Sequence, residues 1–108
     1  MYRNIISIVK GGPAPEEQLP VLRQAGWDGV FFHWTGTERD GALAAAVVRQ
    51  GLALQSVHAP YDGAEKLWTE DGAAETERLI RCIREVASYG CGLVVMHAIV
   101  GMQHIAPT

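Results

Sequence analysis

Gly51-Leu52-Ala53-Leu54-Gln55-Ser56-Val57-His58-Ala59-Pro60 carries the pattern on which the fold turns. A glycine ends one element, seven mostly apolar residues follow, and a proline stops the run. Such a run between a helix-ending glycine and a proline reads as a strand. Before it, Glu38 to Gln50 is alanine-rich, with Leu43, Ala46, Val47 and Gln50 at helical spacing and Gly51 in the place of a C-terminal glycine.

The same punctuation recurs on either side. Gly26 precedes the extended run Asp28 to Trp34, and Gly90 precedes Gly92 to His97. Asn4 to Val9 reads as the first strand, broken by Lys10-Gly11-Gly12-Pro13. A helix starts at Pro15, where proline lacks only an unneeded donor and Glu16 and Glu17 favour the positive end of the dipole; Leu19, Leu22 and Ala25 continue it past Pro20. The strongest helix signal runs from Asp71 to Tyr89. Its apolar face is Leu79, Ile80, Ile83, Val86 and Ala87, with Glu75, Glu77, Arg78, Arg81, Arg84 and Glu85 largely elsewhere.

Strand and helix thus alternate as β-α-β-α-β-α-β, an α/β pattern that calls for a parallel sheet with right-handed crossovers. An open doubly wound sheet and a TIM-type barrel both satisfy it. The chain of 108 residues forms one domain, and a complete eight-unit barrel takes roughly 250. Residues 1–108 therefore match about half a barrel, with 98–108 a loop or tail.

Apolar residues make up 48% and charged residues 19% of the chain, the balance of a folded domain. The net charge of -3 comes from 9 basic and 12 acidic residues without a basic run, which disfavours nucleic acid as a partner. No apolar stretch reaches the roughly 18 residues of a membrane span, and no signal-peptide core follows Met1, so the cytoplasm is the expected compartment. Cys82 and Cys91 lack the CxxC spacing of a zinc or redox site and read as reduced packing residues. Gly-Gly-Pro at 11–13 lacks a dinucleotide or phosphate-loop pattern and reads as a turn.

His33, His58 and His97 each fall at or next to the C-terminal end of an expected strand, the edge that carries the site in parallel β/α folds. Alternation places His58 on a face with Ser56 and Leu54, and His97 with Val95 and Leu93. Imidazole serves both as metal ligand and as acid-base group. Trp34 and Trp68 suit a wall for a sugar ring or the packing of a loop, and the area an aromatic buries makes packing the first reading. The acidic residues read as solvated helix faces. His104 has no assigned context.

Leu54-Gln55-Ser56-Val57-His58-Ala59-Pro60-Tyr61, then Leu67-Trp68 before a long helix, then Leu93-Val94-Val95-Met96-His97 resemble the xylose isomerase-like TIM barrel family. That superfamily includes sugar phosphate isomerases and epimerases and the apurinic endonucleases. The likeness covers nearly the whole chain and matches the N-terminal half of the family's barrel. It implies a metal-dependent enzyme acting on a small sugar or sugar phosphate, with a divalent ion (Mn, Mg or Zn) at the C-terminal strand ends. His58 and His97 match the family's metal-binding or pocket histidines, while His33 stands where the family commonly has a glutamate. His33, His58 and Trp68 are the substrate-binding candidates under this resemblance, and His58 and His97 the metal candidates.

Nothing in the chain matches the family's later-strand carboxylates, so activity of the isolated chain is doubtful and no catalytic residue is assigned. A zinc phosphodiesterase of the apurinic endonuclease kind and a non-catalytic half barrel are the rival readings. A half barrel leaves strand edges and barrel-facing groups without partners. A second copy or a missing C-terminal half is therefore an expected partner.

Overall fold

The computed structural model describes residues 4–8 and 12–98. In chain order these form β1 (Ile5–Ser7), α1 (Pro15–Gln24), β2 (Gly29–His33), α2 (Glu38–Arg49), β3 (Ala53–His58), a 3-10 turn (Ala64–Trp68), α3 (Gly72–Ala87) and β4 (Val94–Val95). The expected alternation is present. Val9, Gly11, His104 and most of the expected tail lie outside the described residues.

All strand pairs are parallel and the sheet order is β1-β2-β3-β4, with no reversal. A doubly wound sheet reverses its strand order at a switch point; these four strands do not. Leu19 of α1, Ala44 and Val47 of α2, and Cys82 and Val86 of α3 join one buried cluster with Val30, Phe32, Leu54 and Val57 of the sheet. The helices therefore cover one sheet face. The opposite face keeps Phe31 and Val95 substantially exposed.

The repeated glycines have a common geometry. Gly26, Gly51 and Gly90 have φ of 96°, 75° and 81°, which a side chain rarely adopts. Around each, an N–H just past the glycine reaches back to a helical carbonyl: Trp27 to Leu22, Leu52 to Val47 and Cys91 to Val86. This six-to-one bond ends a helix while turning the chain into the next strand. The local signal thus becomes a reversal that returns each strand to the sheet.

Several expectations shift by packing. The fourth strand is two residues rather than six, because β4 has a partner only in β3, at Val57 and His58. Leu93 and Met96 flank it half-exposed. Gln50 ends α2 on the surface instead of continuing its apolar face. In α3 the buried positions are Glu75, Cys82 and Val86, whereas Ile83 is 39% exposed. The buried face is thus shifted from the one expected toward Glu75 and Cys82 while keeping Val86 and the partly buried Leu79, and Arg78 neutralises the Glu75 carboxylate at its packed position.

The register also corrects the face assigned to Leu54. Val30 pairs with Leu54 but Phe31 pairs with Ser56, a bulge that leaves Gln55 as the extra residue. Leu54 consequently lies with Val30 against the helices, and only Ser56 shares the open face with His58. Among the described residues no helix is long and apolar enough to cross a membrane.

Both cysteines are buried and unpaired, matching the expected packing role. Burial pushes the Cys82 thiol up to about 11, with Glu85 and Asp40 adding to the effect. At pH 8 roughly one thiol in a thousand would then be ionised. An aromatic disulfide reagent at pH 8 is expected to leave Cys82 unmodified in the folded protein and to label it in denaturant. The raised value also predicts a stabilising contribution that is complete below about pH 8.5, the ordinary thiol range. It is lost as pH rises toward 11, because the unfolded chain releases that proton first. Rapid labelling of native Cys82, followed by mass spectrometry, would contradict this burial.

Candidate functional site

The C-terminal edge of the sheet gathers the three histidines. His33 is the last residue of β2, His58 the last of β3, and the two are paired in register. His97 stands two residues beyond Val95, the partner of His58. The rings form a column: His33 stacks on His58 at 4.9 Å between centroids, and His58 on His97 at 4.8 Å. Tyr61 meets His33 and His58 nearly edge-on, at 5.3 and 5.4 Å, and lies 5.7 Å from His97.

Hydrogen bonding orders the protons. His58 Nδ1 lies 2.8 Å from the Ala59 carbonyl oxygen. A carbonyl only accepts, so Nδ1 carries hydrogen and Nε2 of neutral His58 offers a lone pair. His97 Nε2 is 2.9 Å from that atom and must donate to it when both rings are neutral. One added proton goes to Nδ1 of His97, the free lone pair of the pair, and leaves this bond and its direction unchanged, whereas a second would leave two donors facing each other. The pair can therefore hold or pass a single proton.

The same two nitrogens can face a divalent ion. A ring nitrogen fixed by Nδ1–H on a backbone carbonyl is the usual support for a metal-binding imidazole. Two Nε2 lone pairs can meet a common ion at about 2.0–2.1 Å each. His33 stacks on the other side of His58, its plane 14° from that ring. Among the described residues no group of three or more His, Cys, Asp or Glu is arranged to hold a metal. The donor set thus supplies two nitrogens of such a site.

Tyr61 closes the stretch quoted for the family resemblance but is not among the site residues expected from sequence. The adjoining loop is pinned by charge. Arg78 donates from Nε and Nη2 to the Glu75 carboxylate, its shortest bond 2.8 Å, and from Nη2 to Asp62 Oδ1 at 2.7 Å. The Arg78 guanidinium holds the Asp62 carboxyl below its ordinary value. Glu75 Oε2 would lie 2.6 Å from a Cβ at position 63, so glycine there allows the buried carboxylate to approach the loop. These contacts fix the backbone beside Tyr61.

Trp34 is 2% exposed and packs on Phe32, in accord with its expected packing role. Trp68 is 70% exposed, which overturns the packing reading for that residue. Its indole N–H donates to the Ala98 carbonyl at 2.7 Å, tying the 3-10 turn to the chain just after His97. None of the ring contacts among the described residues joins Trp68 to the histidines. Asp40 and Glu75, expected on solvated faces, are 3% and 6% exposed.

A cavity of about 900 Å³ opens beside the column, with His33, Phe32, Ile8 and Arg39 among its walls. No family model, curated protein or solved structure matches the chain.

Proposed function

We propose that the chain supplies four β/α strands of a TIM-type barrel in a metal-dependent sugar or sugar-phosphate isomerase or epimerase. The unreversed strand order, helices on one face and histidines at the C-terminal edge support this reading. The observation that carries it is the 2.9 Å approach of His58 Nε2 and His97 Nε2, with His58 oriented through Nδ1. His58 and His97 would hold a divalent ion, which when bound polarises carbonyl and hydroxyl oxygens. His33 and Tyr61 bound the same surface and suit hydrogen bonds to a polyhydroxylated substrate. The net charge of -3 favours a small substrate over the nucleic acid of the phosphodiesterase alternative.

The test is a Co²⁺, Mn²⁺ and Zn²⁺ titration followed by calorimetry and by NMR of the histidine ring nitrogens. One ion per site is expected, with affinity falling at least about tenfold in His97→Ala and changing little in His33→Ala. Retained metal affinity in His97→Ala, with the fold intact, would overturn the ligand assignment. With metal present, deuterium exchange at the carbon beside a sugar carbonyl reports the proposed chemistry; absence of exchange across aldose and ketose phosphates counts against it.

A second reading is favoured by the open sheet face, where Phe31 is 39% and Val95 45% exposed. There the chain is a non-catalytic half barrel that self-associates through this face. Sedimentation equilibrium showing dimers that persist in Phe31→Glu would remove that support.

A further inference from the structure

The cavity beside β1 and β2 is bounded by apolar side chains and, along one edge, by the loop from Thr35 to Thr37 with Asp40. Asp40 accepts hydrogen bonds from the backbone N–H groups of Thr35, Gly36 and Thr37, at 3.0, 2.6 and 3.0 Å. The Thr35 hydroxyl also donates to Asp40, at 2.7 Å. In the 3.0 Å contact between the two threonine hydroxyls, Thr37 must then be the donor. These loop donors are therefore spent within the loop.

Arg39 is different. It lines the same cavity from the first turn of α2, is exposed, and has no hydrogen bond or ion pair with another described residue. A cation at the positive end of a helix is disfavoured by the dipole, so nothing in the local structure calls for a guanidinium there. The apolar part of the wall is formed by Ile8, Pro13, Phe32 and Leu43, beside the polar Ser7 and His33. Glu16 also borders the space but forms no ion pair with Arg39.

We propose that this cavity binds a small organic anion, with an apolar body against Ile8, Phe32 and Leu43 and a carboxylate or phosphate on Arg39. Guanidinium matches both anions with paired N–H donors. The volume of about 900 Å³ suits a ligand of one or two rings. The site lies on the far side of His33 from the His58–His97 pair, and it goes beyond the sugar reading because it requires neither a metal nor a sugar.

The experiment is an amide NMR titration of the full chain with benzoate, phenyl phosphate and neutral benzyl alcohol. Saturable shifts at Ile8, Phe32, Thr35 and Leu43 are expected for at least one anion, and the anion that binds identifies the head group. Arg39→Gln should weaken that anion by about tenfold or more and leave benzyl alcohol unchanged. Glu16→Gln should tighten it. Absence of saturable shifts at the cavity would overturn the proposal, as would equal anion affinity in Arg39→Gln or benzyl alcohol binding as tightly as the anions. Arg39 and Glu16 are both exposed, so the spectra of the free variants show directly that the fold persists.

Discussion

Replacing Trp34 with alanine is expected to destabilise the protein by about 4 kcal/mol, a large part of the roughly 5–15 kcal/mol that holds a domain folded. The indole is 2% exposed, lies 5.9 Å from the Phe32 ring and 22° from its plane, and meets Tyr89 of the α3 end at 6.5 Å. Its removal leaves a void where β2, α2 and α3 converge. The effect extends to the site, because the Trp34 backbone N–H donates to the His58 carbonyl at 2.8 Å and His33 is its neighbour. Trp34→Phe keeps an aromatic filler and should cost about half as much. Urea unfolding measures both; a loss below about 1 kcal/mol in Trp34→Ala would show that this junction is not a packed core.

Asp40→Ala should cost about 2–4 kcal/mol, because three backbone N–H groups and one hydroxyl lose a charged acceptor at a 3% exposed position. The bonds share one carboxylate, so their contributions do not add. Asp40→Asn retains one carbonyl acceptor and is expected to fall between the wild type and alanine. The loop from Thr35 to Thr37 should also lose amide protection in hydrogen exchange, well before the strands do. Unchanged stability and protection in Asp40→Ala would mean that solvent replaces the carboxylate without penalty.

Much of the architecture was legible because its causes are local. Gly26, Gly51 and Gly90 announce left-handed helix ends, and the apolar runs after them need no knowledge of distant contacts to be read as strands. The strand-end positions of His33 and His58 follow from the same boundaries. The bulge at Gln55 was not legible, since it depends on how β3 registers with β2 and not on either strand alone. Trp68 illustrates the converse error: a large aromatic suggests burial, yet this indole caps the Ala98 carbonyl from the surface.

The candidate site divides along the same line. The histidines could be named from sequence, but the contacts of Tyr61 with all three rings come only with the fold. Asp40 and Glu75 carry the strongest lesson. A carboxylate on a helix is ordinarily solvated, and only neighbours distant in space or in a folded loop can supply the donors that allow it to be buried.

By itself the sequence determined the alternation of strands and helices, their parallel arrangement and the edge at which the histidines emerge, because glycine conformation and apolar periodicity act over a few residues. Tertiary structure alone decided the unreversed strand order, the shifted buried face of α3, the stacking of the three imidazoles and the 2.9 Å contact between His58 and His97. Those features depend on which elements meet and in what register. Ångström-scale placement of side chains 39 residues apart is set by the packing between elements and not by any local preference.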